Sequence, residues 1–246
     1  MLHRAKNISS FLTVLVLTVA FALVAGCGSG NNDTVNTPGT GRVRVVHASP
    51  DAPNVDVYVD NQRVLSNVPY QAASGYLPLN AGAHLVRVTP ANSETAVISA
   101  TITVTPNTDY TVLAVGRVAN IEPLVLTDDN SAPGAGNIKV RLVHASPAAE
   151  AASVDIYVTA PTTDIATTAP TLSSIPFKAA SGYLSVPAGS YRVRVTPAGS
   201  KTVVIDTGAI ALSAGAIRTG VAVGDPAVNT AAGGVAALGA ILLSDN

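Results

Sequence analysis

The chain runs to 246 residues with a formal charge of −1, 48% hydrophobic and only 12% charged residues. That balance excludes charge-driven disorder, and no Lys/Arg cluster suits a phosphate backbone, so nucleic acid is not expected as a partner. With one cysteine, Cys27, no intrachain disulfide can form, and the abundance of Thr, Ser, Val and Ala over Lys and Glu suits strands better than surface helices.

The first element is a leader. His3, Arg4 and Lys6 make a short positive region, and Phe11 to Val24 is almost wholly apolar and uncharged. Its length, about 14 residues, fits a secretory signal core and is short for a membrane span. Val24-Ala25-Gly26-Cys27 follows. An aliphatic residue, two small residues and a cysteine at the end of such a core resemble the bacterial lipobox. The resemblance implies cleavage before Cys27, a diacylglyceryl group on its sulfur, a mature N-terminus carrying two or three acyl chains such as palmitate, and attachment to the membrane through that lipid. Gly28 in place of Asp after that cysteine implies, by the same resemblance, outer-membrane sorting in a cell with two membranes. Loss of Arg4 and Lys6 with the leader takes the basic residues from 14 to 12 against 15 acidic ones, a charge of −3. Gly28 to Thr40 reads as a flexible tether spanning on the order of 20 Å.

Period-two segments then recur, with strands expected near Arg42–Ala48, Val55–Asp60, Gln62–Leu65, Gly75–Leu79, His84–Thr89, Ala96–Val104, Tyr110–Gly116 and Ile121–Thr127. Turn residues separate them, among them Asp60-Asn61 and Asn80-Ala81-Gly82. This many short strands without a helical period argue for a β-sandwich.

The whole set returns. Val43-Arg44-Val45-Val46-His47-Ala48-Ser49-Pro50 reappears 97 residues on as Val140-Arg141-Leu142-Val143-His144-Ala145-Ser146-Pro147. Val55-Asp56-Val57-Tyr58-Val59 returns as Val154-Asp155-Ile156-Tyr157-Val158, and Ala72-Ala73-Ser74-Gly75-Tyr76-Leu77 as Ala179-Ala180-Ser181-Gly182-Tyr183-Leu184. Both copies close on Asp-Asn, at Asp129-Asn130 and Asp245-Asn246. The second copy gains residues after Pro147, between Thr159 and Ser174, and between Asp225 and Gly239, which are expected to be loops between fixed strands. The Ala/Gly run Ala231 to Ala240 is likewise read as a loop. The organisation expected is a lipoprotein signal peptide (1–26), a lipidated tether (27–40), a first domain (41–130), a linker (131–138) and a second domain (139–246).

Val-Arg-Val-Val-His-Ala-Ser-Pro-Asp-Ala-Pro followed by Val-Asp-Val-Tyr-Val resembles the domain-of-unknown-function family 4397, over Arg42 to about Asn130 and Lys139 to Asn246. Copy two departs where Asp51-Ala52-Pro53 becomes Ala148-Ala149-Glu150. Leu77 to Gly82 and the alternation after it resemble a hairpin of immunoglobulin-like and transthyretin-like exported domains. The resemblance implies an all-β exported protein of two tandem immunoglobulin-like/transthyretin-like sandwiches and brings no established activity.

Candidate sites are few. His47, Ser49 and Asp56, repeated as His144, Ser146 and Asp155, contain the residue types of a hydrolytic triad. No glycine-flanked elbow surrounds either serine, and Pro50 turns the chain directly after Ser49, so these groups are expected to tie strand ends together by hydrogen bonds. A metal site from Asp51, Asp56 and His47 lacks a dense Asp/Asn/Gly loop and loses Asp51 in copy two. Arg44 and Arg87, with Arg141 and Arg194, alternate with apolar residues and are expected on the solvated face of half-exposed sheets rather than in an anion-binding row. Asp128 and Asp129 are expected to end a strand in solvent. Tyr58, Tyr76, Tyr157 and Tyr183 are expected as core aromatics with their hydroxyls partnered at the rim. The sequence predicts no catalytic residue, metal or cofactor. The functional expectation is a non-enzymatic binding, display or adhesion module, its partner an envelope or extracellular protein or glycan. A structural spacer and an envelope enzyme or its accessory domain are the alternatives.

Overall fold

The structure, a computed structural model, describes residues 39–148 and 153–246. The leader, Cys27 and the tether up to residue 38 lie outside the described residues. Among the described residues no helix is long and apolar enough to cross a membrane.

Alternating β-branched residues fold copy one into β1 (Thr40–His47), β2 (Val55–Val59), β3 (Gln62–Val68), β4 (Leu77–Asn80), β5 (Gly82–Pro90), β6 (Ile98–Val104), β7 (Asp109–Val115) and β8 (Glu122–Asp128). Copy two repeats them as β9 (Asn137–His144), β10 (Ser153–Thr159), β11 (Leu172–Pro176), β12 (Leu184–Pro187), β13 (Gly189–Pro197), β14 (Ile205–Leu212), β15 (Ile217–Asn229) and β16 (Val235–Ser244). The β2–β3 hairpin turns on Asp60 and Asn61, both at positive φ (49° and 66°). Short polar side chains tolerate that region best, and it matches the twist of the flanking strands.

Each domain is a pair of four-stranded sheets. In the first, sheet β3-β2-β5-β6 covers sheet β4-β1-β7-β8; in the second, β11-β10-β13-β14 covers β12-β9-β15-β16. Pairing is antiparallel except for β1 with β7 and β9 with β15, which run parallel. The first core gathers Val43, Val45, Val57, Val88, Ile98 and Val112 between its two sheets, and the second gathers Val140, Leu142, Ile156, Val195 and Ile205.

A third apolar cluster belongs to neither sandwich. Val46, Ala48, Leu113 and Val115 of the first domain pack on Val143, Ala145, Val221, Val223 and Leu243 of the second. The sheets containing β1 and β9 are therefore buried on both faces, one against their own sandwich and one against the other domain. This overturns the half-exposed sheet expected for Arg44 and Arg141, because the face assigned to solvent is the domain interface. The Ala231 to Ala240 reading is also corrected. The turn is confined to residues 230–234, and Val235 onward is strand, so the gain near Asp225 lengthens the β15–β16 hairpin instead of adding a loop.

Candidate functional site

The repeated polar residues of β1 and β9 sort by the two faces of their strands. Alternation sends Val43 and Val45 into the first sandwich and Arg44 and Val46 into the interface. Arg44 and Arg141 are each only 3% exposed, so each guanidinium must find its counter-charge inside.

The partners come from the other copy. Arg44 Nη2 donates to Asp245 Oδ1 (2.8 Å) and Nη1 to the Ser244 carbonyl (2.9 Å). Reciprocally, Arg141 Nη2 donates to Asp128 Oδ1 (2.5 Å) and Nη1 to the Thr127 carbonyl (3.1 Å). The second oxygen of each carboxylate is filled from its own domain. Asp128 Oδ2 accepts from Tyr76 Oη (2.6 Å) and Thr111 Oγ1 (2.7 Å), and Asp245 Oδ2 accepts from Tyr183 Oη (3.0 Å) and Thr219 Oγ1 (2.6 Å). Each guanidinium also lies over its own tyrosine, Arg44 at 4.7 Å from the Tyr76 ring centre and Arg141 at 4.8 Å from that of Tyr183.

Burial pushes the Tyr76 hydroxyl up to about 12 and that of Tyr183 up as well, so both stay protonated donors. The two halves are related by an approximate two-fold axis. A further cross-domain pair joins Arg117 Nε to Asp225 Oδ2 (2.6 Å), residues that follow Gly116 and Gly224 at matching positions of the two copies. Asp128, expected in solvent, is thus a buried acceptor; Asp129 does stay exposed, held by Lys139 and Ser131. Tyr76 and Tyr183 find hydroxyl partners as expected, but they stack on the interface arginines. Tyr157 is the buried one of the other pair, with Lys201 Nζ 3.1 Å from its hydroxyl. Arg194 is also buried, corrected from a solvated position, and donates to Thr159 Oγ1 (2.7 Å), while Arg87 lies half-buried over the Tyr58 ring.

His47, Ser49 and Asp56 do not converge. Both His47 and His144 are 1% exposed. His47 Nε2 meets the Pro53 carbonyl (3.0 Å), which makes it the protonated nitrogen and leaves Nδ1 to accept from the Ser49 amide (3.4 Å). The geometry joins the imidazole to a backbone N–H and not to the serine hydroxyl. Asp56 is occupied elsewhere, accepting from the Asn67 amide (2.7 Å) and Arg63 Nη1 (3.3 Å). Its counterpart Asp155 accepts from the Ser174 and Gly199 amides (2.8 and 2.9 Å). Asn67 and Ser174 sit at positive φ (53° and 54°), so each aspartate fixes an irregular turn of the neighbouring strand. Ser146 Oγ donates to the Gly224 carbonyl (2.6 Å) and Asp51 accepts from the Val118 amide (2.8 Å). Among the described residues no three His, Cys, Asp or Glu side chains gather as metal ligands.

Sequence reasoning missed the interface, yet its signal was present. Val112-Leu113-Ala114-Val115 and Val221-Ala222-Val223 are unbroken apolar runs, the mark of a strand buried on both faces.

A family model described as Domain of unknown function (DUF4397) matches residues 41–157 and again 148–245. No curated relative matches the chain. Among solved structures, a leucine-rich repeat protein from Bacteroides thetaiotaomicron is 14% identical, with 74% of this chain and 25% of that one covered and a TM-score of 0.20. The Bacillus anthracis TIE protein is 9% identical over 74% of this chain and 33% of its own, with a TM-score of 0.24. CBMbc (family CBM26) from Eubacterium rectale Amy13K, in complex with maltoheptaose, is 6% identical over 84% and 97%, with a TM-score of 0.25. The chain spans a quarter to a third of the length of the first two.

Proposed function

The chain belongs to the DUF4397 family, and from that premise we propose that it is a lipid-anchored envelope protein whose paired sandwiches form one non-enzymatic binding head. The observation that carries the anchor is the position of the sole cysteine. Cys27 stands directly after two small residues at the end of an apolar leader, and a segment rich in Gly, Ser, Asn and Thr separates it from the first strand. Two or more acyl chains hold a protein stably at a membrane where one does not.

The interface supports the head. Arg44, Arg141, Asp128 and Asp245 spend their charges on one another, which leaves the outer sheets and connecting loops for a partner. Sheet faces packed together set the domains side by side. That arrangement adds little reach, which favours a binding head over a spacer. The histidines have no cleft to act in, which favours binding over hydrolysis.

Labelling cells with an alkyne fatty acid is expected to mark the wild-type protein and not Cys27→Ser, which should leave the membrane fraction. Cross-linking and affinity capture from intact cells should recover a specific envelope or extracellular component. An unlabelled protein whose Cys27→Ser variant stays equally membrane-bound would refute the anchor. Capture of nothing specific would refute the binding head.

A further inference from the structure

The two sandwiches have the same strands but not the same interior. The space between the sheets of the first domain is nearly filled, with about 30 Å³ left. The corresponding space in the second is a cavity of about 370 Å³, within the ~300–1,000 Å³ common for small-molecule sites.

Particular substitutions open it. On β7, Val112 fills the first core, whereas its counterpart on β15 is Gly220. A Cβ placed there would lie 3.1 Å from Leu142 Cδ2, tighter than an ordinary van der Waals contact, so Leu142, which stands where copy one has Val45, takes up part of the room that Val112 fills in the first domain. Pro123, opposite Ala114 on β8, becomes Ala240, opposite Ala222 on β16. On the facing sheet the pairing of β13 with β14 slips between Arg192 and Arg194, where β5 and β6 pair without interruption.

The walls are aliphatic: Val140, Leu142, Ile156, Val193, Ile205 and Leu238 are among them, and among the described residues Tyr191 is the one aromatic. That lining offers no stacking platform for a sugar or planar ring, and it suits a flexible hydrocarbon chain. Two charged residues also line the space, Asp206 and Arg218. Asp206 is neutralised by a two-pronged pair with Arg192. Arg218 occupies the position of Tyr110 in copy one. Its hydrogen bonds, to the Ile217 carbonyl (2.8 Å) and Asn246 Oδ1 (3.1 Å), both leave from Nη1, and among the described residues no carboxylate pairs with it. A charged guanidinium beside an aliphatic cavity complements an anionic head on an apolar tail.

We propose that the second sandwich binds an aliphatic monocarboxylate, its hydrocarbon chain between the sheets and its carboxylate on Arg218. This narrows the binding reading above to one ligand class and rests on it. An apolar void is destabilising in proportion to its volume, and an aliphatic occupant restores the missing contacts.

The test is calorimetric titration of the whole mature chain, carrying Cys27→Ser so that no acyl group of its own competes, with sodium decanoate and with decanol. Wild type is expected to take up one decanoate per chain saturably. Gly220→Val, whose new side chain displaces Leu142 into the cavity, should weaken decanoate by about tenfold or more. Ala240→Leu, which fills the same space from the neighbouring strand, gives a second reading if Gly220→Val does not fold. Arg218→Gln should weaken decanoate by about tenfold while leaving decanol within about twofold. Absence of saturable uptake of either probe overturns the proposal, as does equal decanoate binding by wild type and a folded cavity-filling variant. An Arg218→Gln variant that loses nothing toward decanoate overturns the carboxylate assignment. Each of these failures leaves the binding head itself to be decided separately, by the capture from intact cells.

Discussion

Replacing Asp245 by Ala isolates the force that joins the domains. Its carboxylate is fully buried and accepts from Arg44, Tyr183 and Thr219. The substitution removes those acceptors and leaves the Arg44 guanidinium, itself 3% exposed, with only the more distant Asp128 carboxylate, 3.9 Å away, as counter-charge. Breaking a buried pair from one side costs about 3–5 kcal/mol. For a folded body of this size about 2–4 °C accompanies each kcal/mol, so the melting temperature should fall by about 6–20 °C. Differential scanning calorimetry of the Cys27→Ser chain measures it, with Asp206→Ala as the control. The Arg192–Asp206 pair lies a third or more exposed on both sides, where solvent screens the charges, so its loss should lower the melting temperature far less. Wild type should melt in one transition, because the shared core ties the domains together. If Asp245→Ala costs no more than Asp206→Ala, the buried charges do not hold the interface and the reasoning fails.

Other outcomes follow from the same geometry. The joint replacement Arg44→Met with Asp245→Leu should recover only part of the loss, since it removes the unbalanced buried guanidinium but still takes the acceptor from the Tyr183 and Thr219 hydroxyls; calorimetry would show a melting temperature between those of Asp245→Ala and wild type. Gly224→Ala should destabilise by about 2 kcal/mol or more, because φ is +105° and the new Cβ would sit 2.2 Å from the Ala237 carbonyl oxygen; urea unfolding measures it. The histidines should pull stability in opposite directions with pH. Burial lowers the His47 pKa below the ordinary 6.5, so the unfolded chain binds more protons and stability falls as pH drops below about 6.5, a slope that His47→Gln should remove. His84, raised chiefly by its hydrogen bond to Asp60, contributes fully below 6.5 and loses that contribution as pH rises through its folded value. Imidazole titration by NMR should place His47 below and His84 above the unfolded value.

Much of the fold was legible because it is local. Each of the eight strands expected in copy one coincides with an observed strand, and the turn at Asp60-Asn61 was visible in its residue types. The fate of Arg44 was not, since its partner Asp245 lies 201 residues away. Alternation marks which residues share a face and is silent on whether that face meets water or another sheet. Val235 to Ala240 misled for the opposite reason. Small residues carry weak strand propensity, and only pairing with β15 makes them a strand. The cavity was equally hidden, because Gly220 for Val112 becomes visible only when the strands of the two copies are superposed residue on residue.

The Arg117–Asp225 pair has a consequence for which surfaces can meet. These positions correspond across the approximate two-fold axis, so a first domain docked on another first domain would bring arginine against arginine. Two second domains would bring aspartate against aspartate, with Asp225 fully buried. Like charges across a contact penalise the mismatched assembly. The Arg44–Asp245 and Arg141–Asp128 halves would fit either pairing, and the Arg117–Asp225 difference favours the one that a single chain closes upon itself.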